Sequence, residues 1–113
     1  MCSKAVSGFS PIEVNILEYL QEKGSNIAPH FDDFWIWGER ILGLSLGSDT
    51  VMQFTREGDP RLIQVPLPRR SLYVMSGASR NEWMHGIESK DVKGRRLVVT
   101  LRELTQEFMD FQK

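Results

Sequence analysis

The chain has 113 residues, 41% of them hydrophobic and 26% charged, with a formal net charge of −1 at pH 7. That length suits one domain with a single core, and the near-neutral balance excludes a protein that coats nucleic acid through bulk positive charge. The opening MCSKAVSGF has no apolar run long enough for a signal peptide, and no stretch is apolar for long enough to span a membrane. The lone cysteine, Cys2, has no partner for an internal disulfide. A reducing compartment, cytoplasm or nucleus, is the expectation. Charge is uneven: residues 1–55 carry 3 basic and 7 acidic side chains, and residues 56–113 carry 11 and 8. Two solvated faces explain that shift as well as a binding patch does.

In chain order, VNILEYL (14–20) reads as a strand, followed by the polar connection QEKGSN. IAPHFD (27–32) is extended, held out of helix by Pro29. RILGLSL (40–46) stops at Gly47-Ser48-Asp49, TVMQFT (50–55) stops at REGDP, and RLIQVPL (61–67) and SLYVMS (71–76) flank Pro68. EWMHGI (82–87) and RRLVVTL (95–101) follow after polar breaks. FWIWGERIL has a second reading as one helical turn, since periodicity over so few residues does not decide. LTQEFMDF (104–111) reads as a short C-terminal helix with Thr105 as its cap. About eight short strands at close intervals predict a mainly β sandwich or small barrel.

His30 and Asp32 are two apart in an extended segment, so an imidazole and a carboxylate project to the same side. The only other histidine is His85, in a later strand. Two histidines and one carboxylate, two close and one distant, form the ligand set of a non-haem Fe(II) site with open positions for a co-substrate and O2. The plainer reading is a surface strand without metal and a packed core histidine. Arg96 and Arg102 are six apart and share a strand face with Val98 and Thr100, while Leu97, Val99 and Leu101 take the other. Either the arginines face water on an amphipathic strand, or they lie inside a barrel beside the metal. In the second case a dicarboxylate such as 2-oxoglutarate has a cation to meet its far end, and guanidinium pairs a carboxylate bidentately. Charge favours this: Fe(II) with two neutral histidines and one aspartate is +1, 2-oxoglutarate brings −2, and the remaining −1 needs a buried partner.

PHFD, PRRSLYVMSGASRNEWMHGI and RLVVTLRE together resemble the AlkB family of Fe(II)- and 2-oxoglutarate-dependent dioxygenases. The family pattern is His-x-Asp, a distant His, and two arginines with five residues between them. DDFWIWGER resembles the homologue-4 branch more than the other branches, and residues 65–87 also resemble the homologue-8 branch, which modifies transfer RNA. The resemblance implies a double-stranded β-helix, or jelly roll, with iron on His30, Asp32 and His85. It implies that Arg96 meets the far carboxylate of 2-oxoglutarate, that Arg102 supports the site, and that Tyr19 hydrogen-bonds the co-substrate. Many relatives have an asparagine two residues before that tyrosine; here it is Leu17.

The implied reaction is oxidative removal of an N-methyl group, releasing formaldehyde, succinate and carbon dioxide, with ascorbate as a stimulant. The implied substrates are a methylated protein, such as an actin-like lysine, or methylated DNA or RNA, with protein mildly favoured by the charge. RNA or tRNA base hydroxylation or demethylation is a second enzymatic reading. A non-catalytic jelly-roll module that binds a protein partner is the competing one. Relatives carry an N-terminal section with supporting helices and a substrate-gripping lid, whereas this chain begins almost at the first core strand. Residues 1–113 are therefore expected to form a catalytic core without that lid, with apolar surface left exposed. Core packing is the default for Trp35 and Trp37, with the substrate entrance as the alternative. Asp33 is expected to be a turn residue or cap and Glu39–Arg40 a surface pair. Arg69, Arg70 and Arg80 are expected to be solvated loop arginines.

Overall fold

The alternating run near the start becomes β1 (Glu13–Leu20). This computed structural model describes residues 5–111, without the side chain of Phe111, so Cys2 lies outside the described residues. After a single 3-10 turn come β2 (Ile27–His30), β3 (Trp37–Gly47), β4 (Thr50–Thr55), β5 (Ile63–Leu67) and β6 (Ser71–Met75). The short helix α1 (Ala78–Asn81) leads into β7 (Met84–Ile87), and β8 (Arg95–Leu104) is followed by α2 (Gln106–Phe111). The strands form two antiparallel four-stranded sheets, β1-β8-β3-β6 and β2-β7-β4-β5, the two walls of a jelly roll.

Several boundaries differ from the sequence expectation: β2 ends at His30 rather than Asp32, β5 starts at Ile63 rather than Arg61, β7 starts at Met84 rather than Glu82, and β8 runs to Leu104 rather than Leu101. β3 starts at Trp37 rather than Arg40 because β8 runs on to Leu104 and pairs with it there. The helical-turn reading holds only for residues 34–36, where the Asp33 carboxylate accepts the amides of Trp35 (2.7 Å) and Ile36 (2.9 Å). Asp33 is thus the expected cap. Thr105 also caps as expected, its hydroxyl accepting the Phe108 amide at 3.0 Å.

Buried apolar side chains form two clusters, a larger one of Ile41, Met52, Phe54, Leu67, Met75 and Trp83 and a smaller one of Tyr19, Ile87, Val92 and Val98. The surroundings of the smaller cluster are unusual. Along β1 and β8 the inward residues include Tyr19 and Arg96, directly paired across the ladder, and Asn15 and Thr100, paired likewise. Glycine makes room twice. A side chain at Gly43 would collide with the ring of Tyr73, and a Cβ at Gly86 would come within 2.8 Å of the Ile27 carbonyl. The first lets Tyr73 lie across β3, and the second lets β2 close on β7 beside the histidines.

Candidate metal and dicarboxylate site

β2 ends on His30 and β7 carries His85, and the antiparallel register sets these two residues directly opposite each other. Their ring centroids are 4.3 Å apart. The chain leaves β2 and brings Asp32 back toward them, so that the Asp32 Oδ1 atom lies 3.4 Å from His30 Nε2 and 3.5 Å from His85 Nε2. Those gaps are longer than an ordinary hydrogen bond. They approach the spacing of ligand atoms around one first-row metal ion, about 3 Å for ~2.1 Å bonds at right angles. His30, Asp32 and His85 are the one group of metal-capable side chains found among the described residues, with their ligand atoms all within 4.8 Å of one another.

Protonation suits the same use. His30 Nδ1 lies 2.8 Å from the Ala28 carbonyl, which can only accept, so Nδ1 carries the proton and Nε2 offers its lone pair inward. Burial, reinforced by the positive surroundings of His30, Arg80 and Arg102, pushes His85 down to about 4, so its ring is neutral at pH 7. Burial alone would raise the Asp32 carboxyl. His30, His85 and Arg102 overcome that and hold it below the usual carboxylate range. His30 is shifted up, chiefly by its pairing with Asp32.

One oxygen of Asp32 faces the histidines and the other is anchored. Arg102 donates from Nη1 to Asp32 Oδ2 at 3.3 Å and from Nε to Glu13 Oε1 at 2.8 Å, with Nη2 also on Glu13. Its guanidinium lies over Trp37, 4.6 Å from the ring centroid. Trp37 therefore packs beneath the site and against the core, whereas Trp35 is half exposed and meets Phe108 edge to face.

Arg96 is 1% exposed, and among the described residues its guanidinium makes no hydrogen bond of ordinary geometry, although the phenols of Tyr19 and Tyr73 stand close enough to favour its charge. It lies over the ring of Tyr19, 5.2 Å from the centroid, and burial lowers its affinity for its proton while Tyr73 and Tyr19 favour its charge. Burial raises both phenols, Tyr73 to about 12, with Arg96 opposing. A buried cation whose guanidinium meets only two neutral phenols is costly unless an anion joins it. Its donor set and setting fit a carboxylate held bidentately.

A cavity of about 190 Å3 is lined by the triad, Asn15, Leu17, Tyr19, Thr100 and Arg102, and Arg96 lies against Tyr19 just outside that lining. That is below the ~300–1,000 Å3 of sites for drug-sized ligands and suits an ion with a small diacid. Leu17 takes the inward position where an asparagine was expected, and Asn15 sits one step earlier on the same face.

Three residues escaped the sequence reading. Asn15 and Glu13 share the inward face of Tyr19, and strand alternation carried back along β1 finds both. Tyr73 alternates inward with Met75, but only the β3–β6 register places it by Gly43. Arg80 corrects an expectation outright: it is 3% exposed on α1 rather than solvated. The helix tucks it beneath the 32–38 loop, where inward-turned carbonyls need a donor. Glu39 and Arg40 do not pair with each other either. Successive strand residues point apart, so Arg40 meets Glu103 at 3.1 Å and Glu39 accepts from the Gly77 amide and Asn81. Arg69 donates its amide to Asp49, and its side chain is exposed.

Comparison with known proteins matches residues 2–102 to the 2OG-Fe(II) oxygenase superfamily. The human alpha-ketoglutarate-dependent dioxygenase alkB homolog 4 is 37% identical over 91% of this chain and 44% of its own length. A Caenorhabditis elegans protein named DNA N6-methyl adenine demethylase is 36% identical over 95% of this chain and 37% of its own. The chain thus spans less than half the length of these curated relatives. Among solved structures, OsALKBH1 superposes with a TM-score of 0.66 at 18% identity, covering 84% of this chain and 49% of that one. The Drosophila melanogaster CENP-C bound to CAL1 gives 0.60 at 5% identity, covering 86% and 69%, a likeness of fold alone.

Proposed function

The chain belongs to the 2OG-Fe(II) oxygenase superfamily, and on that premise we propose that it is an N-demethylating dioxygenase of the AlkB type. His30, Asp32 and His85 hold Fe(II), and Arg96 with Tyr19 holds the far carboxylate of 2-oxoglutarate. The observation that carries this reading is the convergence of the triad on one cavity that also reaches Tyr19, against which the buried Arg96 lies. Bound together, Fe(II) and 2-oxoglutarate supply with O2 the oxidation that hydroxylates an N-methyl group, 2-oxoglutarate leaving as succinate and carbon dioxide.

The protein's own residues prepare that step. His85 is kept neutral by burial, and His30 is held in its Nε2-ligating form by the Ala28 carbonyl. Arg102 and Glu13 fix the plane of the Asp32 carboxylate. Leu17 and Ile87 line the cavity with apolar surface that keeps water from the reacting methyl group. The hydroxymethyl product then falls apart to formaldehyde and the bare nitrogen. Arg96 and Arg102 balance Glu13 and Asp32, and Fe(II) with a doubly negative co-substrate leaves that balance unchanged.

For the substrate, the alkB homolog 4 likeness and the near-neutral charge support a methylated lysine on a protein of the actin type, acted on in cytoplasm and nucleus. The name of the Caenorhabditis elegans relative supports a methylated nucleic-acid base. The test is succinate release from the chain with Fe(II), ascorbate and 2-oxoglutarate, beside Asp32→Ala. Succinate from the parent and none from the variant is expected. Formaldehyde then appears on adding either a methyl-lysine peptide or an N6-methyladenine oligonucleotide, which distinguishes the two. A folded parent that releases no succinate and binds no Fe(II) would be a partner-binding jelly roll instead.

A further inference from the structure

Arg80 is a buried charge that the chemistry described above does not use. Its side chain makes no ion pair among the described residues, and all its partners are main-chain carbonyls. Nη1 donates to Asp32 O at 2.8 Å, Nη2 to Asp33 O at 3.0 Å and to Trp37 O at 3.1 Å, and Nε to Gly38 O at 3.1 Å. Phe34 covers the guanidinium face at 4.5 Å from the ring centroid. One planar cation thus gathers both ends of the loop that carries Asp32 from the metal point into β3.

The backbone that presents Arg80 is itself fixed. Glu39 accepts from the Gly77 amide and from Asn81 Nδ2, tying α1 to β3. Arg80 precedes His85 by five positions, with the buried Trp83 between them. The helix that leads to one ligand strand therefore holds the loop of another ligand. A guanidinium suits this because its donors leave in one plane in fixed directions, so four carbonyls are set relative to each other and not merely satisfied.

We propose that Arg80 is a positioning residue of the metal centre: by locking the main chain at Asp32, Asp33, Trp37 and Gly38, it sets where the Asp32 carboxylate stands relative to His85. This rests on the reading of His30, Asp32 and His85 as metal ligands. Outer partners of metal ligands typically change metal affinity by about 10–100-fold.

The test is a Co(II) titration of the 113-residue chain, followed by the ligand-field absorption of the bound ion. Parent, Arg80→Met and Arg80→Lys are compared, with Leu67→Ala as a control that loosens the distant apolar core. The expected result is an affinity loss of about 10-fold or more in Arg80→Met, with a changed absorption spectrum. Arg80→Lys keeps the cation but not the fork and falls between. Leu67→Ala melts earlier yet keeps parental affinity and spectrum. Parental affinity and spectrum in Arg80→Met overturn the proposal, as does an equal affinity loss in Leu67→Ala. If Arg80→Met does not fold, Arg80→Lys decides by the same criteria: weakened binding upholds the assignment and parental binding overturns it. A parent that binds no Co(II) overturns the metal reading itself, and this proposal with it.

Discussion

Along β8 the inward side chains are Arg96, Val98, Thr100 and Arg102, and the outward ones are Leu97, Val99 and Leu101. The outward set continues across the whole sheet. Val14, Leu101, Leu42 and Val74 form one cross-strand row, and Ile16, Val99, Leu44 and Leu72 form the next. Val14 and Ile16 are 62% and 66% exposed, whereas Arg96 is 1% exposed. A half-solvated antiparallel sheet ordinarily shows the opposite arrangement, apolar inside and polar out. The inward arginines are thus set among a small apolar cluster of Tyr19, Ile87, Val92 and Val98, as the proposed charged ligand requires, while the larger apolar cluster lies toward β4–β6.

Replacing the least exposed charge breaks the comparison most severely. Arg96→Met should weaken 2-oxoglutarate binding by roughly 2–5 kcal/mol, the usual loss when one partner of a buried charge pair is truncated. The same change should raise the stability of the ligand-free chain by about 1 kcal/mol or more, because an unpaired buried cation is removed. Calorimetry and urea unfolding measure the two. Binding at parental strength would take Arg96 out of the ligand site.

Tyr73 sharpens the comparison through pH. Its folded value, about 12, lies above the ordinary 10.0, because burial disfavours the phenolate. The folded state thus holds the proton more tightly than the unfolded one. The stabilisation is complete below pH 10 and disappears as pH rises toward 12. It amounts to about 2–3 kcal/mol. Urea midpoints at pH 9 and pH 11 should separate strongly in the parent and less in Tyr73→Phe. Equal separation in both would mean that this hydroxyl is not buried in the interior.

The smallest effect belongs to the outer face. Ile16→Lys should change stability by no more than about 0.5 kcal/mol and leave 2-oxoglutarate binding intact, since the residue is mostly in water. A loss of several times that size would show Ile16 to be packed against something in solution.

These contrasts also mark how far the sequence could be read. Period-two spacing put Arg96 and Arg102 on one face of β8 and His30 and Asp32 on one side of their segment, and the structure has both arrangements. Spacing alone does not say which face turns inward. By composition Leu97, Val99 and Leu101 were the natural core, and the family resemblance tipped the reading the other way. Glu13 and Tyr73 depend on ladder register, which no local pattern carries. Arg80 lies further from view, because its partners are carbonyls more than forty positions away, brought under it by tertiary folding. Glu39 and Arg40 looked like a pair only because they are neighbours in sequence.

The central claim is that the inner face forms one site for a metal ion and a dicarboxylate together. Titrating 2-oxoglutarate into the chain by calorimetry, with and without Mn(II) as a redox-quiet substitute for Fe(II), tests it most directly. Strong binding with metal, much weaker binding without it, and loss of that difference in Asp32→Ala is the predicted result. Equal affinity in the presence and absence of metal would contradict the claim.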